Sequence, residues 1–146
     1  MRLAIVIMVL VMAACPQPPA PQDEVASSVS QTESFVGPYW RLVELEGQPS
    51  IAGGGAREPH LRFAEENRMS GATGCNTLGG RYERTSERLR FDGLFSTKMA
   101  CIEEDRMAQE TRFMRALEGV DRFAVSGDTL TLFRGESAVA RFVRGQ

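Results

Sequence analysis

Three cysteines and one histidine carry most of the chemistry open to this chain. Nucleophilic catalysis by a thiol needs a base beside it, and His60 is the sole imidazole. His60 reads more simply as a half-exposed strand residue. Thiol–disulfide exchange is usually built on Cys-x-x-Cys, whereas Cys75 and Cys101 stand far apart. Those two and His60 share no metal-ligand spacing. Ser70, Asp92 and Glu104 offer a hydroxyl and two carboxylates, but no nucleophile-elbow motif surrounds them. The expectation is a protein that is not an enzyme and carries no metal and no cofactor.

The stretch that organises the chain runs from Ser70 to Cys101. Four glycines fall from Gly71 to Gly80, yet Cys75, Asn76, Leu78 and Tyr82 sit among or beside them. A flexible linker rarely carries such residues, so the run is read as a tight backbone crossing that needs residues without a Cβ. Gly53-Gly54-Gly55 lacks a following Lys-Ser/Thr and reads as a surface loop.

An odd cysteine count in an exported chain needs a reason. Arg2 precedes a continuous apolar run, Leu3 to Met12, which is too short to span a bilayer and fits an export signal. The ending Ala13-Ala14-Cys15 resembles a bacterial lipobox, with Met12 where Leu is usual. That resemblance implies a signal peptide over residues 1–14 and a diacylated Cys15 as the mature N-terminus. Ordinary cleavage near Ala14, leaving a free Cys15 thiol, is the competing reading. Lipidation leaves Cys75 and Cys101 as a pair. In an oxidising compartment they could bridge, closing a loop of about 27 residues for about 3.5 kcal/mol. Two buried reduced cysteines is the alternative.

Residues 15–36 are rich in Pro, Gln, Ser and Glu and read as a disordered tether. The folded domain is expected over residues 37–146. Alternating apolar residues predict strands at Tyr39–Leu45 (Trp40, Leu42 inward), at His60–Phe63 (Leu61, Phe63 inward), and returning over Arg68–Ala72. Further strands are expected at Gly80–Arg84, around Leu89 and Phe91, around Phe123 and Val125, around Leu130 and Leu132, and over Ala138–Val143. Arg81, Arg84, Arg88 and Arg90 could cluster on one hairpin face. Glu103–Glu118 predicts one helix, with acids in its first turn, Gly119 as its stop, and Met107, Met114 and Leu117 on its inward face, flanked by Phe113 and Val120. The fold class is α+β: a small, strongly curved antiparallel sheet of about eight short strands packed with one main helix.

These motifs resemble the META domain, or HslJ-like, family. The residues that carry the resemblance are Trp40-Arg41-Leu42, Leu61-Arg62-Phe63, Ser70-Gly71, Gly74-Cys75-Asn76 and Gly79-Gly80-Arg81-Tyr82. Further along come Leu89-Arg90-Phe91, then Ser96-Thr97-Lys98-Met99-Ala100-Cys101, then Phe113, Ala116 and Leu117, and Gly127-Asp128-Thr129-Leu130-Thr131-Leu132. The resemblance implies a small antiparallel α+β domain, common on exported or lipid-anchored bacterial proteins, with a link to heat shock and antibiotic stress. It implies no catalytic residues. Cys75, Asn76 and Cys101 carry over as motif residues; Asn76 could satisfy backbone groups freed by the glycine turn.

The formal net charge of −2 gives no footprint for nucleic acid. The expected function is a membrane-anchored envelope lipoprotein acting as a binding or stress-related structural module. A carrier of a small apolar ligand is the second reading and a thiol-dependent enzyme the third. Expected partners are the membrane, through the lipid, and an envelope protein or small apolar ligand; the protein is expected to be a monomer. Pro16 after Cys15, rather than Asp, favours the outer membrane in a Gram-negative cell.

Overall fold

The computed structural model describes residues 35–52, 58–99 and 101–145. The signal segment, Cys15, the tether through residue 34, Gly53–Gly55 and Ala100 lie outside the described residues.

Among the described residues, nine antiparallel strands and one helix follow in the order β1 (Tyr39–Leu45), β2 (Gln48–Pro49), β3 (His60–Ala64), β4 (Arg68–Ala72), β5 (Thr77–Arg84), β6 (Leu89–Ser96), α1 (Glu104–Glu118), β7 (Arg122–Ser126), β8 (Thr129–Arg134) and β9 (Ser137–Arg144). Eight strands form one sheet in the order β6-β5-β4-β3-β1-β9-β8-β7, and β2 is a two-residue addition to β1. The sheet curls until its two edges meet at one end. There the Phe123 amide donates to the Glu87 carbonyl at 3.0 Å and the Leu89 amide to the Asp121 carbonyl at 3.3 Å. The helix packs between β6 and β9.

Alternation explains the inner face. Trp40 pairs with Leu61, Leu61 with Gly71, and Gly71 with Leu78, so this cross-strand row points inward. Trp40, Phe63, Phe113 and Phe142 are at most 1% exposed and fill the inside of the curl. Each such side chain contributes about 1.5–3 kcal/mol by leaving water.

The domain begins earlier than residue 37. Phe35 is fully buried, stacks on Phe63 at 4.1 Å, and its carbonyl accepts the Trp40 indole N–H at 3.0 Å. Val36 packs against the same core. The tether boundary at residue 36 therefore runs two residues too far, because the surrounding polar composition hides one aromatic anchor.

The glycine-rich run is a hairpin. β5 starts at Thr77, three residues before the expected strand, and pairs through Gly79 and Gly80 with Ser70 and Met69. A residue without a Cβ is required at Gly71, where an added Cβ would overlap the His60 carbonyl oxygen. The four arginines do not cluster. Arg84 turns inward, 5.2 Å over Phe35, Arg81 and Arg90 lie outward on different strands, and Arg88 bridges to Arg122 at the sheet closure.

The helix starts at Glu104, with Glu103 at its cap position, and ends at Gly119. Gly119 has φ −96°, so it stops the helix without a left-handed turn. The buried helix face is Gln109, Phe113, Ala116 and Leu117. Met107 is exposed and Met114 only half-buried, so the inward stripe is rotated from the expected one. The aromatic ring of Phe113 needs the core more than the thioethers do.

Candidate functional site

Gly74, Cys75, Asn76, Thr97, Met99 and Cys101 of the family motif meet at one end of the curl, where the β4–β5 turn touches the connector from β6 to α1. The turn is Thr73–Asn76. The Thr73 amide donates to the Asn76 carbonyl at 2.8 Å, and the Asn76 amide donates to the Thr73 hydroxyl oxygen at 3.0 Å. Gly74 sits at φ +106° with Pro59 close to where a Cβ would go, so glycine is required there. This geometry aims Cys75 and Asn76 at the connector.

Cys75 and Cys101 form a disulfide, with their Cα atoms 5.8 Å apart. Asn76, 3% exposed, uses its whole side-chain amide beside it. Its Oδ1 accepts from the Met99 amide at 2.7 Å and from the Thr97 hydroxyl at 2.8 Å. Its Nδ2 donates to the Met99 carbonyl at 3.2 Å and to both Glu110 carboxylate oxygens at 2.9 Å. Two acceptor sites and two N–H groups are the full capacity of an asparagine amide. Thr97 in turn accepts the Thr77 amide at 3.1 Å. One bridge and one buried amide thus hold the connector against the hairpin.

A second buried amide holds the other side. Gln109, 1% exposed, accepts the Ile51 amide at 2.7 Å and donates to the Ile51 carbonyl at 3.2 Å. The sequence reading singled out neither Gln109 nor Glu110. A polar helix residue looks solvated on paper; the only signal for Gln109 was its place four residues before Phe113.

The fixed connector forms one wall of an open cleft of about 640 Å³. Asn76 and Thr97–Met99 line one side; Met107, Glu110, Met114 and Glu118 line the helix side. Met99 and Met107 of this lining remain exposed, as does Ile102, the residue after Cys101.

The other expected residues lie elsewhere. Trp40 and Tyr82 are core side chains, the Tyr82 hydroxyl donating to the Ala64 carbonyl at 3.0 Å. Gly80 lies beneath Leu94, whose Cδ2 would be 3.1 Å from an added Cβ. His60 stacks on Tyr39 at 4.3 Å, its Nδ1 2.8 Å from the Glu58 carbonyl oxygen. Burial pushes the His60 pKa down from 6.5, with the Glu58 carbonyl opposing and Arg62 assisting. Burial first, then the Glu58 carboxylate, pushes Tyr39 up from 10.0. Among the described residues no group of three or more His, Cys, Asp or Glu could hold a metal ion, and no helix is long and apolar enough to cross a membrane.

Fold and site together define a disulfide-closed antiparallel half-barrel with one packed helix. The META domain profile matches residues 33–146, and the chain belongs to the META domain family. The match begins just before Phe35, in accord with that residue's place in the core.

Solved structures agree at the level of the fold. A protein from Burkholderia xenovorans, solved by NMR, is similar with a TM-score of 0.62 at 21% identity, over 97% of this chain and 99% of that one. A second NMR structure has a TM-score of 0.62 at 20% identity, over 76% and 92% of the two chains. The crystal structure of a DUF4847 family protein from Bacteroides vulgatus ATCC 8482 has a TM-score of 0.59 at 14% identity, over 77% and 96%. No curated protein matches.

Proposed function

We propose that this chain is a membrane-tethered, non-enzymatic binding module of the bacterial cell envelope, and that the α1 cleft receives an apolar segment of an envelope protein. The observation that carries the reading is the double fastening of the connector. The Cys75–Cys101 bridge and the Asn76 amide hold Thr97–Met99 in place, while Met99, Ile102 and Met107 stay in water. Adaptable thioethers around a rigid cleft suit recognition of an apolar side chain. A bridged Cys75 is also withdrawn from nucleophilic chemistry, which favours binding over catalysis.

The anchoring part of the proposal rests on the lipobox-like ending at Cys15. The second reading, a carrier of a small apolar ligand inside the curl, has less support because Trp40, Phe63, Phe113 and Phe142 occupy that space.

The test is complementation of a deletion strain under envelope stress, with intact mass spectrometry of the membrane-purified chain. Wild type is expected to restore tolerance and to carry a diacylated Cys15. Cys15→Ala and Met107→Glu are expected to fail. Full rescue by Met107→Glu would remove the cleft from the function; an unmodified Cys15 would remove the anchor.

A further inference from the structure

The outer face of β4, β5 and β6, away from the α1 cleft, holds a second hollow of about 480 Å³, a size common for small-molecule sites. Its floor is made by Ser70, Gly79 and Gly80. Phe95 stands at one side, 62% exposed, with its ring laid across Gly79; a Cβ on Gly79 would come within 2.6 Å of the ring tip. The ring therefore needs glycine beneath it, yet it leaves most of its own surface in water. A β-bulge at Gly93, φ +58°, shifts the β5–β6 register here and places Phe95 opposite Gly79.

Arg68 stands at the other side of the hollow. It is the direct cross-strand partner of Arg81, so two like charges face each other on the outer face. Such a pair is destabilising. Among the described residues neither guanidinium forms an ion pair or side-chain hydrogen bond, although Asp92 is the next residue in the same row. Arg62, one row away, is by contrast engaged 5.3 Å over the Tyr39 ring. The Ser70 and Thr77 hydroxyls complete the lining.

We propose that this hollow binds a sugar acid: a polyhydroxylated ring bearing a carboxylate. The apolar face of the ring lies on Phe95, its hydroxyls meet Ser70 and Thr77, and its carboxylate takes the planar guanidinium of Arg68. Arg–carboxylate pairing is geometrically matched and charge-assisted. Arg81 adds a second positive charge, and bound carboxylate offsets the repulsion between the two arginines. A flat anion without a ring would use Arg68 but gain nothing from Phe95, and a neutral sugar would leave both arginines uncompensated.

The test is NMR titration of the full ¹⁵N-labelled chain with glucuronic acid, glucose and inorganic phosphate. Glucuronic acid is expected to move the Ser70, Gly79 and Gly80 amides saturably, with glucose and phosphate at least about tenfold weaker. Arg68→Gln and Phe95→Leu are each expected to weaken glucuronic acid about tenfold, the cost of one charge-assisted contact or one ring face. Both side chains are exposed, so a dispersed spectrum is expected for each variant. Met107→Glu, in the other cleft, is expected to change nothing here, so this test is independent of the α1 reading. Absence of saturable shifts with glucuronic acid would overturn the proposal. So would equal binding of inorganic phosphate with no loss in Phe95→Leu, which would reduce the hollow to a surface anion patch.

Discussion

Asn76 and Met99 exchange two hydrogen bonds, the Met99 amide donating to Oδ1 at 2.7 Å and Nδ2 donating to the Met99 carbonyl at 3.2 Å. A side-chain amide here does what a neighbouring strand's peptide would do. Gln109 repeats the arrangement with Ile51 on the opposite flank of the helix. The two irregular segments beside α1 are thus paired with amides in place of strands, which satisfies their backbone without extending the sheet.

Replacing Asn76 by Ala should destabilise the domain by about 2–3 kcal/mol, because it strips partners from Met99 and Thr97 in one step. Asn76→Asp should fare no better. Aspartate keeps the acceptors but loses both donors and sets a second carboxylate against Glu110, now 2.9 Å from Nδ2. Chemical denaturation gives the loss. Hydrogen exchange should show the Met99 amide opening before the strands do.

Removing the bridge with Cys75→Ala and Cys101→Ala together should lower stability by about 3.5 kcal/mol, or about 10–15 °C in Tm. Calorimetry with and without reductant checks this. Wild type under reductant should approach the double variant, and the double variant should be insensitive to reductant.

Gly71→Ala should destabilise by about 2–3 kcal/mol, since the new methyl would overlap the backbone carbonyl of His60 and cannot be relieved by a rotamer change. The same substitution at Gly127, where nothing lies near an added Cβ, meets only the penalty of its φ of +56° and should be milder. Urea midpoints of the two variants decide it.

The His60–Tyr39 pair predicts opposite responses at the two ends of the pH scale. Burial holds the folded-state pKa of His60 below 6.5. The unfolded chain therefore takes up the proton first as pH falls, and the stability associated with neutral His60 is complete above 6.5 and lost below it. Tyr39 is held above 10.0, so the unfolded chain releases its proton first and stability falls as pH rises past 10. Thermal melts from about pH 7.5 to 5.5 should show a loss in wild type that His60→Gln lacks.

Much of the fold was legible where side chains alternate. Trp40 and Leu42, Leu61 and Phe63, and Leu130 and Leu132 marked three strands because one face of each is buried and the other wet. The glycine run was harder, since Gly79 and Gly80 carry no side chain to alternate, and β5 looked three residues shorter than it is. Phe35 was lost among Pro, Gln and Ser. On α1 Leu117 and the flanking Phe113 and Val120 are buried as expected, whereas Met107 is exposed and Met114 half-buried, so the buried face turns toward Gln109 and Ala116. Cys75, Asn76 and Cys101, named by the motif, lie together in the fold. Their helix-side partner Glu110 could not be read from spacing, since 34 residues separate it from Asn76 and only the folded sheet brings them together.

β1 is the first described strand, yet it lies in the middle of the sheet, between β3 and β9. Its pairing with β9 joins Trp40 to Arg144 and Leu45 to Ala140. A nascent chain that has made everything up to β8 still has a central strand with one bare edge. β9 completes both β1 and the β7–β8 hairpin, so the sheet becomes continuous only through pairings that reach across nearly the whole domain.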